Sequence, residues 1–541
     1  MGGVNRMGIK LLDCTLRDGA YMNEGRFGEG AIRGIVKKLR KAHVDIIECG
    51  WLKNAEYNLG TTYFHSPSDI QPYIEKNEDV LYCAMIDWDR YDVEKMPDYD
   101  GSSIDAIRVV FPHGKHKEGI EVGKKIRDRG YKVLFQAANT LAYSDEDLEE
   151  LAGDMNAFGP VSLSVVDTFG AMYFDDLDRI IAVLSRELDE TIDIGFHAHN
   201  NQQLAFALTI HFVEKLSRTR NIVVDATLSG MGRGAGNTTT ELISGYLIRK
   251  HHGKYDLNPI MDAIDVYMQG FREKYSWGYS TPYFIAGLYQ CHVNNIAYLL
   301  ENHRTNAKDM RNIISALSQE QRRKYDYDVL ENIYLEHQGR MVEDEETLNA
   351  LKKAISGRKL LLLAPGKTLD SESDRVKDFI QKEAPLCIAV NAIHPKYNYD
   401  YLFFVNSARY EYAKNAYPKQ FAEVQKILLS NIRTVGREDE CIICFNHVIK
   451  RGWKHFDNSV ITCLRLMLLL DAKQVYIAGF DGFKTRYNES YADDHLPTLN
   501  PDNNWDELNE EIKDMYADFY RTVKGTMEIR FVTDSIYEVK E

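Results

Sequence analysis

Through the first 230 residues, short apolar, β-branched runs alternate with longer stretches whose apolar positions recur at helical spacing. The runs are 10–14, 44–49, 80–85, 106–111, 132–136, 161–166, 192–196 and 222–224, their starts about thirty residues apart. That interval suits one strand, one helix and two loops. Between them, "DDLDRIIAVL" puts Leu177, Ile180, Ile181 and Leu184 on one helical face. Ser144 precedes "DEDLEEL" with an acidic residue three positions on, the signature of a capping box. Eight such units predict an α/β fold with a parallel sheet, and their even spacing favours closure into a (β/α)8 barrel over an open doubly wound sheet. Polar residues follow the strand ends: 13–18, Glu48, Asp87, 136–139, Asp167 with Thr168, 197–200 and Asp225. A barrel carries its chemistry on that face.

From 251 to about 356 the pattern is helical; "DMRNIISALSQEQ", for example, aligns Met310, Ile313, Ile314 and Leu317. At Lys359 strands restart with "KLLLLAPG", followed by "APLCIAVN", "YDYLFFVN", "ECIICFN" and "AKQVYIAGFDG". The expected organisation is a TIM barrel over 8–250, a helical extension over 251–356 and a Rossmann-like α/β domain over 357–541.

Composition narrows the function. The net charge is −15 (66 basic against 81 acidic residues), which argues against nucleic acid as a partner. No run reaches the roughly 18 apolar residues of a membrane span, and the N-terminus has no signal-type apolar stretch. Eight cysteines, mostly in strand-like runs, do not make a disulfide framework, so a reduced, cytoplasmic protein is expected. Cys441 and Cys444 form a CxxC, read as part of a buried strand because no second pair accompanies it.

The chemistry concentrates in "LLDCTLRDGAY" and "GFHAHNNQQLA". His197 and His199 alternate by two, so on extended backbone both imidazoles face one side. With Asp18, delivered to the same rim, they make a three-ligand metal site with positions left for water or substrate. Arg17 supplies a fixed cation for an oxyanion, and Glu48, in "DIIECG", is expected to pair with it. Backbone N–H groups of the glycine-rich "SGMGRGAGN", with Gly232, Gly234 and Gly236, could take a phosphate or carboxylate, and Gln136, Asp167 and Thr168 line the same mouth as candidate substrate-binding residues.

"TLRDG", "IIECG", "HAHNN" and "GMGRGAGN", in this order, resemble the DRE-TIM metallolyase superfamily over about residues 8–250, and most closely its 4-hydroxy-2-oxovalerate aldolase branch. The resemblance implies a divalent metal (Mn2+ or Mg2+ first, Zn2+ or Co2+ as alternatives) on Asp18, His197 and His199, with Asn237 as a further ligand or outer donor. It also implies that Arg17 stabilises a pyruvate enolate while a 2-oxo acid is made from, or cleaved to, pyruvate and an aldehyde. The sequence departs from its relatives at Tyr21, where the aldolases carry a His, and in lacking the lyase branch's loop Cys. Tyr21, His113, Tyr279 and His292 therefore stay open as proton carriers. A Claisen-type synthase using an acyl-CoA is the alternative reaction.

In the C-terminal part, "LLLAPGKTLD" and the strand ending toward Asp481 are similar to sialyltransferase-like and 6-hydroxymethylpterin pyrophosphokinase-like domains, where they would flank a nucleotide cleft. That implies a nucleotide or nucleotide-sugar partner, or a nucleotide-dependent transferase beside the barrel; a scaffold role is the other expectation. No residue is assigned to an organic cofactor, and a homo-oligomer is compatible with everything read so far.

Overall fold

A computed structural model describes residues 8–76, 79–303, 305–432, 439–484, 490–497 and 504–539. The first seven residues, part of the stretch read for a signal sequence, lie outside these. By internal packing the chain divides into two units, one reaching to Val293 and the other beginning at Asn294, a division inside the helical stretch.

In the first unit eight parallel strands close on themselves: β1 (Ile9–Asp13), β2 (Ile46–Leu52), β3 (Leu81–Asp87), β4 (Ala106–Phe111), β5 (Lys132–Ala137), β6 (Ser162–Asp167), β7 (Asp193–Ala198) and β8 (Ile222–Ala226). Each pairs with the next, and β1 pairs with both β2 and β8, which shuts the barrel. A two-residue strand, Tyr63–Phe64, adds to the edge of β2, too short to register as a sequence pattern. Inside the barrel Leu12, Ile46, Cys83, Ala106, Leu134 and Val223 fill the bottom with Cys14. Outside, the strands meet amphipathic helices such as Phe174–Glu187, which buries Leu177, Ile180, Ile181 and Leu184. Ser144 and Asp147 form the expected reciprocal cap on Asp145–Phe158.

Asp13 secures the first turn at the barrel top. Its carboxylate accepts from Thr15 N at 2.9 Å and Thr240 Oγ1 at 2.6 Å, yet burial outweighs these bonds and pushes it up to about 6. A carboxyl raised above its unfolded value of ~3.9 imposes no penalty below pH ~4, and the penalty grows as pH rises through the folded value. Asp13→Asn, which can keep both contacts through its amide, is expected to remove up to about 3 kcal/mol of stability loss between pH ~4 and ~7. Thermal unfolding of the variant should therefore vary less with pH; a profile parallel to wild type would show that Asp13 is not the titrating group.

The second unit is a seven-stranded parallel sheet: β9 (Lys359–Leu363), β10 (Leu386–Val390), β11 (Tyr401–Phe404), β12 (Gln425–Leu429), β13 (Glu440–Ile443), β14 (Gln474–Ala478) and β15 (Glu528–Phe531). Its order is β13-β12-β11-β10-β9-β14-β15. The CxxC differs from expectation in one respect: Cys441 lies in β13 and is half-buried, whereas Cys444 has left the strand and starts the helix Phe445–Val448. Helices including Ala307–Ala316 precede the sheet; Met310, Ile313 and Ile314 are its buried face, and Leu317 ends it. Among the described residues no helix is long and apolar enough to cross a membrane.

Candidate functional site

The top of the barrel gathers a buried chain of charges. After β1 the backbone turns into a one-turn helix, Thr15–Asp18, which withdraws Arg17 and Asp18 from solvent (3% and 0% exposed). Arg17 spans two acids: Nε donates to Glu48 Oε2 at 2.7 Å and Nη1 to Asp18 Oδ1 at 3.0 Å. Trp51 Nε1 donates to the Arg17 carbonyl at 3.1 Å, fixing the turn from β2. A register shift between Glu48 and Trp51 permits this; Gly50 sits there at φ +151°, and a Cβ would meet Thr62 O at 2.3 Å.

From Glu48 the chain continues through Arg108, buried inside β4, whose Nη1 donates to Glu48 Oε1 at 3.2 Å and Nη2 to Asp225 Oδ2 at 2.7 Å. Asp225 Oδ2 also takes Gln136 Nε2 at 3.1 Å and faces His197 Nδ1 at 3.1 Å. That last contact places the imidazole proton on Nδ1 and leaves Nε2 as a lone pair, 3.6 Å from Asp18 Oδ2. The His197 and His199 rings stand nearly perpendicular with centroids 5.1 Å apart.

Candidate ligand atoms of Asp18, His197 and His199 lie within 4.8 Å of one another. Burial lowers His199 to about 3, against the pull of Asp18, so it is a neutral donor. Burial alone would raise Asp18, but Arg17, His199, His197 and Arg233 together hold it well below the usual carboxylate range. Asn237 Nδ2 donates to Asp18 Oδ2 and to Met231 O, while its buried Oδ1 has no hydrogen-bond partner among the described residues. The buried network carries three carboxylates (Asp18, Glu48, Asp225) and two guanidinium groups (Arg17, Arg108), a formal 2 − 3 = −1. Two imidazoles, an ionised carboxylate, an orphaned amide oxygen and a net negative charge suit a divalent cation. Cys14 also lies near His197 and Asp225, but burial pushes its thiol up and Sγ donates to Ala226 O at 3.4 Å.

The other expected residues fall in distinct places. Gly232 abuts the centre: a Cβ there would meet Asn237 Nδ2 at 2.2 Å and Asp18 Oδ2 at 3.3 Å. Gly234 and Gly236 sit in the left-handed region of the same loop, beside Asn201 and Gly230. Gln136 joins the charge chain, while Asp167 accepts from Ala171 N and Met172 N and Thr168 Oγ1 accepts from Asn139 N, so these last two hold loops. Tyr21 packs edge-on to Trp51 with the Arg233 guanidinium 3.9 Å over its ring. Arg233 Nη1 in turn approaches His292 Nε2 at 3.5 Å. His113 is tied to Asp147 at 3.1 Å on a part-exposed loop, and Tyr279 is 64% exposed; neither joins this group. Sequence reading missed Arg108 and Arg233. The signal for Arg108 is a lone arginine within the apolar run "AIRVVF", which must find counter-charges inside a barrel.

A profile of the HMGL-like family matches residues 115–266. A 4-hydroxy-2-oxovalerate aldolase of Geobacillus genomosp. 3 is 26% identical over 265 residues, 48% of this chain and 77% of that protein. An oxaloacetate decarboxylase of Mycobacterium tuberculosis is 26% identical over 279 residues, 50% of this chain and 78% of that one. Among solved structures, an HMG-CoA lyase of Brucella melitensis is 18% identical with a TM-score of 0.40, covering 49% of this chain and 99% of that one. With the four motifs in place around one barrel mouth, the HMGL-like profile over 115–266 and the curated aldolase and decarboxylase relatives support the DRE-TIM metallolyase superfamily for the barrel and indicate a carbon–carbon lyase.

Proposed function

We propose that the barrel is an aldolase that forms or cleaves a 2-oxo acid through a pyruvate enolate. The observation that carries this reading is Arg17 Nη2. It is a buried guanidinium nitrogen with no hydrogen-bond partner among the described residues, while Nε and Nη1 are committed to Glu48 and Asp18. A cation fixed by two acids, with its Nη2 amino group left to donate, is preorganised for an oxyanion.

Asp18, His197 and His199, with Asn237 Oδ1 beside them, would hold the divalent ion, Mn2+ or Mg2+ by preference; bound there it would act as a Lewis acid on a 2-oxo acid. The protein does the rest. Glu48 fixes the Arg17 fork, Arg17 Nη2 takes the oxygen on which negative charge accumulates, and Asp225 keeps His197 in one tautomer. We assign the proton to Tyr21. Desolvation pushes its hydroxyl up to about 12, with Arg233 and Arg17 opposing, so it enters the reaction protonated and able to donate. Arg233, braced by His292, orients the ring. Eight cysteines without a disulfide, seven of them buried, suit a reducing, cytoplasmic setting.

Aldol cleavage of a 4-hydroxy-2-oxo acid and decarboxylation of oxaloacetate leave the same enolate, so the decisive assay follows the enolate itself. Full-length protein with Mn2+ or Mg2+ is expected to exchange the methyl protons of pyruvate in D2O, read by NMR, and to release pyruvate from 4-hydroxy-2-oxovalerate. Chelation should abolish both, and Tyr21→Phe should slow both by roughly 10²-fold. Pyruvate release from oxaloacetate alone would make it a decarboxylase, and no exchange with either ion would remove the enolate reading altogether.

A further inference from the structure

The C-terminal unit has a second, separate crevice. From β9 the chain adds four strands on one side, then returns to place β14 on the other, so the strand order reverses between β9 and β14. In open parallel sheets, crevices for ligands form at the carboxyl ends of the strands where the order reverses. Here a pocket of about 80 Å³ opens at that point, room for the anionic group of a ligand. Its floor is two crossing turns. Gly366 N donates to Gly479 O at 2.8 Å, and a Cβ on Gly479 (φ +77°) would meet Ala364 O at 2.0 Å. Asp481 locks them, taking Thr368 N at 2.8 Å and the Thr368 hydroxyl.

One wall carries a buried cation, in a lining that also holds Asp457 and Asp481. Arg409, on the helix Ser407–Ala416, lines the cavity yet is 4% exposed, and its Nη1 has no hydrogen-bond partner among the described residues. Among the described residues it enters no ion pair; instead its guanidinium lies 4.7 Å over the Tyr491 ring. Tyr491 is itself fixed, bridged to Gly366, with Ala492 N donating to Pro365 O. Two amides extend the donor set. Asn391 Oδ1 accepts from Val405 N and Asn406 Oδ1 from Arg409 N, so both carboxamide oxygens are committed and both Nδ2 groups keep their hydrogens. Both residues line the cavity.

A guanidinium withdrawn from water without a counter-ion is costly, and folds retain such groups where a ligand supplies the charge. We propose that this crevice is a second ligand site, in which the Arg409 fork receives the oxyanion of a small organic phosphate or carboxylate and Asn391 and Asn406 donate to the same ligand. Arg409, 4.7 Å over the Tyr491 ring, offers a planar fork for bidentate recognition, which an ammonium cannot reproduce. The site is independent of the barrel reading; nucleotides are one class of molecule that carries such a group.

The test is calorimetric and thermal titration of metal-free full-length protein with pyrophosphate, ATP and CMP on one arm, and succinate and citrate on the other. At least one probe is expected to bind saturably and raise Tm, and the arm that responds names the oxyanion. Arg409→Lys should weaken that probe by about tenfold or more and Arg409→Met should abolish its binding. Without ligand, Arg409→Met should melt no lower than wild type, because it removes a buried charge that makes no ion pair among the described residues, and with Mn2+ or Mg2+ added its pyruvate exchange at the barrel should equal that of wild type. Silence from every probe at about 10 mM, binding by Arg409→Met equal to wild type, or a lower Tm in ligand-free Arg409→Met would each overturn the proposal, the last by making the guanidinium a structural group.

Discussion

Arg17→Ala is expected to lower kcat for pyruvate-releasing cleavage by roughly 10³-fold and to slow pyruvate proton exchange by a similar factor. The size follows from the position of Nη2, which is buried and aimed without a protein partner, so its interaction grows only as the substrate oxygen becomes charged. KM should change much less than kcat, since a ground-state carbonyl gains little from the same donor. The fold should survive: Glu48, deprived of Arg17, keeps Arg108 Nη1 at 3.2 Å, and Asp18 keeps Asn237. Arg17→Lys separates charge from geometry. An ammonium can reach Glu48 or Asp18, but it cannot hold both and still present a third N–H, so a loss of about 10² is expected. Circular dichroism and metal binding serve as controls. If Arg17→Ala retains more than about a tenth of wild-type exchange, the oxyanion role assigned to this residue is wrong.

The barrel was legible because its strands are buried on both faces and read as uninterrupted apolar runs at even intervals. Where a strand admits a charge, the pattern thins. β12, "QKILL", and β15, "EIRF", escaped notice for that reason; Lys426 in β12 is fully buried and paired with Asp439. At the site, His197 and His199 declare themselves because their spacing is local, and Asp18 because it sits beside Arg17 in one short motif. The bond from Arg108 to Asp225 joins residues 117 positions apart, and nothing in either neighbourhood encodes the other. Strand order alone brings them together across the barrel interior. The same holds for Arg409, an unremarkable residue of an exposed-looking helix until the switch in strand order opens a cavity beside it.

That interior link supports the largest expected effect on stability. Arg108→Met should destabilise the barrel by about 3–5 kcal/mol, a drop in Tm of roughly 6–20 °C for a domain of this size. Arg108 is fully buried and bridges Glu48 to Asp225. Glu48 retains Arg17, but Asp225 would keep only the neutral Gln136 amide and His197, a buried carboxylate with no full positive charge beside it. In the intact protein Arg108 is the largest influence holding Asp225 low against desolvation; without it Asp225 should rise and tend to be protonated from solvent, and a protonated carboxyl would donate to His197 Nδ1 instead of accepting from it. The imidazole would then lose its fixed tautomer, and metal affinity should fall by about 10–100-fold, the usual consequence of removing a ligand's outer partner. Combining Arg108→Met with Asp225→Asn tests the cause. The double variant also removes the one carboxylate left uncompensated, so it should recover at least half of the lost stability, with His197 Nδ1 still donating to the amide oxygen. Additive losses in the double variant would mean that Arg108 acts by filling volume, not by balancing charge, and a single-variant cost below about 1 kcal/mol would mean that water already relieves the pair.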